Sequence, residues 1–378
     1  MKSARETAAT QTGPKPRPGI LRIPAYKQGA SIIDGVDNPI KLSANESALG
    51  PSPRALAAYH AAAATLCRYP DGAQLALREA ISSVHGLDTA RIVCGNGSDE
   101  ILSLLMRAYV GPGDDVVLSE YSFGMCRIHA TAQGANVITA PEPDFRISAG
   151  AILHALTPNT RVVALATPNN PPGTYISASE LKRLHAGLPP DVLLIVDSAY
   201  AEFVTAVDYD PGATLAHSSD NVIMTRTFSK LYGLAALRIG WAYGAAPIID
   251  LLQRIRTPFN TNAPAIAAAT AAMLDSDYAA RVRNHNSEWL ERMTSGLTQL
   301  GLEVIPSVTN FVFVRFPDPA RGAEAAWKFL RLRGIIPRPV AAGGPQTHLR
   351  ITIGLAEENA AVLAALAEFM AATGDALA

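Results

Sequence analysis

Four short clusters of polar residues, each directly after an apolar run, carry the side chains that could do chemistry. GNGSDE (95–100) follows RIVC, and TPNNPPG (167–173) follows RVVALA. DSAY (197–200) follows VLLIV, and RTFSK (226–230) follows NVIMT, with Arg238 eight residues beyond the lysine. Because ligands of open α/β sheets sit at the carboxyl ends of the strands, the four clusters together predict one site.

The residue types indicate what that site binds. The glycine turn and the free N–H groups of the following helix favour an anion, although an ordinary capped turn explains this cluster equally well. It has neither the third glycine of a dinucleotide fingerprint nor the GK[ST] ending of a P-loop. Asp197 ends an apolar strand and needs a positive partner, and Lys230 lies in the mostly apolar stretch TFSKLYGLAALRIGW.

One cofactor accounts for all four clusters. Pyridoxal phosphate carries a phosphate, a pyridinium nitrogen that needs a carboxylate, a phenolic oxygen that needs donors, and an aldehyde that needs an amine. The glycine turn, the asparagines, Asp197 with Tyr200, and the hydroxyls with Lys230 and Arg238 supply these groups in order along the chain. Each cluster alone is weak evidence for this cofactor, but the four clusters in this order are specific for it.

The elements that position these clusters follow from the apolar pattern. Continuous apolar runs predict buried strands at 91–94, 115–118, 161–166, 192–196 and 221–225, with a helix at 99–109. Later, 263–274 and 278–300 are typical of helices, and 310–316 and 348–353 alternate like half-buried antiparallel strands. We expect a tail and arm over 1–45, a large α/β domain over 46–256 and a smaller α+β domain over 257–378. The arm is expected to pack on the small domain or on a neighbouring subunit.

Composition limits the partners. The 378 residues are 48% hydrophobic and 17% charged, with a formal net charge of −1, which favours neither nucleic acid nor an anionic membrane. The three cysteines and eight histidines show no ligand spacing, so no metal is expected. The polar N-terminal stretch does not resemble a signal peptide, and a cytoplasmic location is predicted.

The motifs NGSD, NNPPG, DSAY, TFSK-x7-R and LRITIG, in this order, resemble those of the fold type I pyridoxal-phosphate aminotransferases over nearly the whole chain. Within that superfamily, PGILRIPAY, IKLSANESALGPSP, RYPDG and RTFSKLYGLAALRIGW are similar to the histidinol-phosphate aminotransferase family. The resemblance implies an α/β fold with a mostly parallel seven-stranded sheet and a smaller α+β domain. It also implies transfer of an amino group between an amino donor and a 2-oxo acid.

The resemblance assigns roles to single residues. Lys230, Asp197 and Tyr200 would be catalytic: Lys230 would bind the cofactor covalently, Asp197 its pyridine nitrogen, and Tyr200 with Asn170 its phenolic oxygen. Phe123 would stack on the ring, and Tyr69 would reach the phosphate from the other subunit of a homodimer. The remaining phosphate contacts would come from Gly97, Ser98, Asp99, Thr227, Ser229 and Arg238. Substrate would be bound by Arg350 at its carboxylate or phosphate, by Arg338 at a phosphate, and by Tyr26 and Asn45.

Three departures from the family pattern bear on these roles. NNPPG stands for the usual NNPTG, Ser198-Ala199 for a common Glu-Ala, and Gly343 for a frequent aromatic residue, which predicts a wider pocket. Other activities stay open: an aromatic aminotransferase that uses Arg350 alone, a threonine-phosphate decarboxylase, or a non-catalytic protein of the same fold. The intact set of cofactor residues disfavours the last of these.

Overall fold

The computed structural model describes residues 13–25, 29–340 and 344–372 of the chain. The strands are β1 Ile40–Lys41, β2 Ile92–Gly95, β3 Asp115–Ser119, β4 Asn136–Ala140, β5 Thr160–Ala166, β6 Leu193–Asp197, β7 Val222–Thr227, β8 Gly240–Gly244, β9 Glu303–Ile305, β10 Phe311–Arg315, β11 Ile335–Ile336, β12 Arg338–Pro339 and β13 His348–Thr352. The α-helices are α1 Pro53–Ala62, α2 Leu75–His85, α3 Ser98–Tyr109, α4 Gly124–Gln133, α5 Ala149–His154, α6 Ala178–Ala186, α7 Ala213–Ser218, α8 Ala246–Ile255, α9 Ala263–Met273, α10 Ser276–Gln299, α11 Ala323–Leu332 and α12 Ala356–Ala371.

The large sheet has seven strands within the described residues, in the order β2-β8-β7-β6-β5-β3-β4. All neighbours pair in parallel except β8, which is antiparallel to both β2 and β7. Separate apolar clusters cover its two faces, one built with α2, α5, α6 and α9 and the other with α3, α4 and α8. The predicted mostly parallel sheet, buried on both faces, is confirmed, and each predicted strand lies within two residues of its observed bounds.

Two strands of this sheet were not predicted. β4 lies at the edge and is partly exposed, so NVITA has no continuous apolar signal. β8 reads GWAYG, where the glycines hide a strand that is buried throughout. Gly240 is required because a Cβ there would collide with the backbone N of Ser98 at the start of α3.

The second sheet is antiparallel, in the order β12-β13-β10-β9. β10 and β13 and their antiparallel direction were predicted, but the expected half-burial of the strands is wrong, because four of the five residues of β10 are buried. Val312 and Val314 pack in the cluster of α10, α11 and α12, whereas Phe311 belongs to the core of the large sheet. A strand that lies between two cores has no face towards solvent. Its alternate side chains therefore point into two different apolar clusters.

The parts of the chain are interleaved. β1 pairs in parallel with β11, so the end of the predicted arm joins the C-terminal region. α9 packs against α1 and α2 and contributes to the core of the large sheet, although it follows the boundary expected at residue 256. The domain limits at 45 and 256 therefore stay predictions. In the described part of the chain, no helix combines the length and hydropathy needed to span a bilayer.

Candidate active site

The polar clusters meet in one cavity at the carboxyl edge of the large sheet, with a volume of about 720 Å³. They converge because β5, β6 and β7 are adjacent and parallel, so the residues that follow them end at the same edge. The predicted site residues that line it are Asn45, Ser98, Asp99, Phe123, Asn170, Asp197, Tyr200, Thr227, Ser229, Lys230, Arg238, Arg338 and Arg350.

One end of the cavity is suited to an anion. α3 begins there at Ser98, so its first backbone N–H groups lie at the cavity wall. Gly97 has φ +83°, and a Cβ on it would stand 2.5 Å from Nη2 of Arg238. Gly97 does not line the cavity itself; its missing side chain lets the Arg238 guanidinium lie against the turn. With the hydroxyls of Thr227 and Ser229, this end could hold a phosphate.

Asp197 occupies the floor of the cavity at the end of β6. Its carboxylate accepts a hydrogen bond from Thr225 Oγ1 over 2.8 Å, on the neighbouring strand. Burial raises the pKa of the Asp197 carboxyl to about 6, and the nearby Asp99 carboxylate acts in the same direction. A cation in the cavity would hold this carboxylate in its charged form, which fits a pyridinium nitrogen.

Lys230 extends into the same cavity from the segment after β7. Its Nζ donates to the backbone oxygen of Ala44 over 3.1 Å and lies 5.7 Å from the centre of the Tyr200 ring. Burial lowers the pKa of the Lys230 amine to about 8, and the positive charge of Arg350 adds to the effect. Near physiological pH this amine is therefore neutral more often than an ordinary lysine amine, and its neutral form can act as a nucleophile or a base.

Tyr200 and Asn170 lie together above Asp197. Asn170 Nδ2 donates to Tyr200 Oη over 3.3 Å, and Asn45 Nδ2 donates to the same oxygen over 2.8 Å. Burial raises the pKa of the Tyr200 phenol, so this hydroxyl keeps its proton. The Tyr200 hydroxyl and the Asn170 amide group can therefore both donate hydrogen bonds, and such a pair of donors suits a phenolic oxygen.

Arg338 and Arg350 line the side of the cavity formed by the second sheet. They are directly paired across β12 and β13, so their side chains leave the same face. Arg350 donates to Asn170 Oδ1 over 2.6 Å and to the backbone oxygen of Ser43 over 2.7 Å. The carboxylate-binding arginine of the sequence resemblance therefore lies beside the residues assigned to the cofactor.

Some predicted residues lie elsewhere. Tyr69 is 82% exposed and stacks on Phe259 with ring centres 4.6 Å apart, outside the cavity of its own chain. Tyr26 and Gly343 lie outside the described residues. Asn45 lines the cavity, but its side chain is engaged by Tyr200 and by Thr352.

The sequence analysis did not predict two buried polar pairs that lie next to segments carrying site residues. The buried Glu142 carboxylate accepts hydrogen bonds from Asn169 Nδ2 and from the backbone N–H of Tyr121, which joins the NNPPG turn to the segment carrying Phe123. Arg226 points to the opposite face of β7 and forms a buried ion pair with Glu202 at 2.8 Å. No spacing signals either pair, because their members are distant in sequence.

A family model described as aminotransferase class I and II matches residues 37–366. With the mixed seven-stranded sheet and the lysine-containing cavity, the chain therefore belongs to the aminotransferase class I and II family. Among its relatives are two proteins named histidinol-phosphate aminotransferase, from Paramagnetospirillum magneticum and Maricaulis maris. Each is 52% identical to this chain; the alignments cover 96% and 95% of it, and 100% and 99% of the relatives.

Solved structures agree with this placement. Histidinol-phosphate aminotransferase from Sinorhizobium meliloti, in complex with pyridoxal-5′-phosphate, is 30% identical with a TM-score of 0.87, covering 96% of this chain and 99% of that one. Aspartate aminotransferase from Thermus thermophilus with maleate shares the fold, with a TM-score of 0.76 at 20% identity, covering 88% and 91%. The predicted fold type, the aminotransferase class with its amino donor and 2-oxo acid, and the pyridoxal phosphate cofactor are confirmed.

Proposed function

We propose that the chain transfers an amino group between histidinol phosphate and a 2-oxo acid, 2-oxoglutarate being the expected acceptor. The proposal takes its substrate from the names of the relatives that are 52% identical over nearly the whole chain. The observation that carries it is the pairing of Arg338 with Arg350 across β12 and β13, on the wall of the cavity.

The physical argument concerns reach and charge. Two guanidinium groups that leave one sheet face at directly opposed positions and line the same cavity can both bind one anion there, which offsets their mutual repulsion. A phosphate dianion has enough charge and acceptor oxygens for both groups, whereas a single carboxylate is satisfied by one planar fork. A donor with a phosphate where an amino acid has its carboxylate therefore fits this wall better than an aromatic amino acid does.

The other residues act on the cofactor end. When bound, pyridoxal phosphate supplies an aldehyde that accepts the amino group and a ring that withdraws electrons. Lys230 would hold the cofactor and, when released, move a proton from the substrate carbon. Asp197 would keep a positive charge on the ring nitrogen, and Tyr200 with Asn170 would bind the phenolic oxygen. Phe123, which lines the cavity, would limit tilting of the ring.

The pairing of the two arginines leads to a substrate-specific prediction. Arg338→Ala is expected to lower kcat/KM for histidinol phosphate about 100-fold, because charge-assisted hydrogen bonds to one phosphate are lost. The kcat/KM for glutamate is expected to change far less, since its carboxylate has Arg350. Steady-state kinetics with both donors measures the two changes.

Arg315→Ala is the matched control, because Arg315 is on the same sheet but is exposed and paired with Glu303. Equal losses for both donors in Arg338→Ala would refute the assignment of Arg338 to the phosphate. Turnover of phenylalanine but not histidinol phosphate by the wild type would favour the aromatic alternative, and release of carbon dioxide from threonine phosphate would favour the decarboxylase. A cytoplasmic location and the absence of nucleic-acid and membrane partners stay predictions.

We also propose that the chain works as a two-fold homodimer with shared sites. Exposed apolar side chains lie on or near α1, α2 and the segment before α9, and two of them, Tyr69 and Phe259, stack on each other: Leu56, Leu66, Tyr69, Leu75 and Phe259. An adjoining groove of about 360 Å³ is lined by residues of 70–76 and 263–271. Such a patch is typical of an interface, and a second copy would place its Tyr69 near the cavity of the first.

A mixed dimer tests this arrangement. Tyr69→Ala and Lys230→Ala are each expected to lower activity, but their coexpression creates dimers with one intact site. About a quarter of wild-type activity is expected back, since about half of the dimers are mixed and one of their two sites is intact. Light scattering gives the mass of the assembly. A monomeric wild type, or no recovery in purified mixed dimers, would contradict shared sites.

A further inference from the structure

Asn45 lies between β1 and the active site, and only 1% of its surface is exposed. Its Nδ2 donates to Tyr200 Oη over 2.8 Å, and its Oδ1 is 3.2 Å from Thr352 Oγ1. Its backbone has φ +55°, a left-handed conformation that asparagine tolerates better than most residues. Both ends of the carboxamide are bonded to protein atoms, which indicates a role other than direct substrate binding.

The orientation of this amide follows from the hydrogen bonds around it. The backbone N–H of Asn45 donates to Thr352 Oγ1 over 3.0 Å, and a backbone N–H can only donate. The Thr352 oxygen accepts there, and its own proton can be donated to the Asn45 carbonyl oxygen 3.2 Å away. In the structure the amide oxygen faces Thr352, and the amide nitrogen faces Tyr200.

The same reasoning orients Asn170. Its Oδ1 lies 2.6 Å from Nη1 of Arg350, and a guanidinium has no acceptor. The NH₂ group of Asn170 therefore faces Tyr200, at 3.3 Å. Tyr200 Oη thus receives hydrogen bonds from two amides, and its single proton must point in a third direction.

We propose that Asn45 is a positioning residue that fixes the Tyr200 hydroxyl with its proton directed into the active-site cavity. The charged groups around this phenol are Arg350, which favours its ionised form, Asp197, which opposes it, and Lys230, whose Nζ lies over the ring. The inference rests on the role proposed above, in which Tyr200 donates to the phenolic oxygen of the cofactor. Asn45 strengthens that donation because it occupies the acceptor side of the hydroxyl.

The test compares variants that remove or reverse the amide donor. Asn45→Asp has nearly the same shape, but it offers Tyr200 an acceptor and turns the hydroxyl proton away from the cavity. Asn45→Ala removes the donor altogether. Thr352→Val keeps Asn45 but releases its amide to rotate, and it serves if either Asn45 variant folds poorly.

The readout is the pKa of the nitrogen through which Lys230 would attach to the cofactor, obtained from the visible absorbance as a function of pH. A hydrogen bond to the phenolic oxygen reduces the negative charge on that oxygen, and this charge stabilises the proton on the neighbouring nitrogen. Loss of the hydrogen bond therefore raises this pKa. Tyr200→Phe and Asn45→Asp are each expected to raise the pKa by about one unit, and Asn45→Ala by about half as much. Thr352→Val should shift it in the same direction by a smaller amount.

The double variant separates positioning from a general structural effect. In a Tyr200→Phe background, Asn45→Ala is expected to cause no further shift, because the hydroxyl through which it acts is absent. A full shift in that background, or none from either Asn45 variant in the wild type, would overturn the inference. If Tyr200→Phe alone leaves the absorbance titration unchanged, the proposed cofactor role of Tyr200 fails as well. If it shifts the titration while the Asn45 variants do not, only the role of Asn45 fails.

Discussion

Lys230→Ala is expected to abolish transamination, with a loss of kcat of at least about 10⁴-fold. In the proposed mechanism the amine is the nucleophile for the cofactor aldehyde and the base for the substrate proton, and alanine supplies neither. Its setting suits both tasks, since burial and Arg350 lower the pKa of the Lys230 amine to about 8. Single-turnover absorbance with histidinol phosphate measures the rate, and borohydride reduction with peptide mass analysis measures the covalent attachment.

Two control variants accompany this prediction. Lys230→Arg keeps a positive charge in the cavity without a nucleophile and is expected to be as inactive as the alanine variant. Lys182→Ala removes an exposed lysine on α6 and should leave the rate unchanged. Retention of the cofactor mass on a peptide of the Lys230→Ala variant, or turnover within tenfold of the wild type, would assign the attachment to another lysine.

Asp197→Asn is expected to have the second-largest effect and to act in opposite directions on activity and stability. In the proposed mechanism Asp197 lies beside the ring nitrogen, so loss of its negative charge should lower kcat roughly 10²- to 10⁴-fold, because removing one partner of a buried ion pair costs about 3–5 kcal/mol. The shape of the side chain is kept, so the loss reports the charge. Stopped-flow absorbance with histidinol phosphate measures it.

The same substitution is expected to stabilise the cofactor-free chain. The pKa of Asp197 in the folded chain, about 6, lies above the ordinary aspartate pKa of about 3.8, so the wild-type fold loses stability as the pH rises from about 4 through 6. Above this window, Asp197→Asn should be more stable than the wild type by up to about 3 kcal/mol, with no difference near pH 4. Urea unfolding of the cofactor-free proteins gives the two values.

Asp250→Asn is the control for a carboxylate that is exposed and paired with Arg254 along α8; little change in either property is expected. Equal stabilities of the wild type and Asp197→Asn at pH 7 would show that burial of this carboxyl is not costly. An Asp197→Asn enzyme with wild-type kcat would remove Asp197 from the proposed mechanism.

Much of the site could be predicted because its polar residues stand directly beside apolar segments of the sequence. A carboxylate at the end of an apolar strand, or a lysine in an apolar stretch, is costly to bury unless it has a partner, so Asp197 and Lys230 attract notice in the sequence. Parallel strands bring such residues to one edge, and the order of the motifs supplies their partners. β8 could not be predicted in this way, because its first glycine, Gly240, follows from a close approach to Ser98 that only the folded chain contains.

The sequence by itself determined the apolar strands, the polar residues at their ends and, through the ordered motifs, the cofactor, because these depend on neighbours along the chain. The tertiary structure alone decided which donors face which acceptors. It placed Asn45 on Tyr200 across 155 residues, Arg350 on Asn170 across 180, and Arg338 opposite Arg350. Hydrogen bonds depend on distances of a few tenths of an ångström and on direction, and contacts between distant segments are set only when separate elements pack.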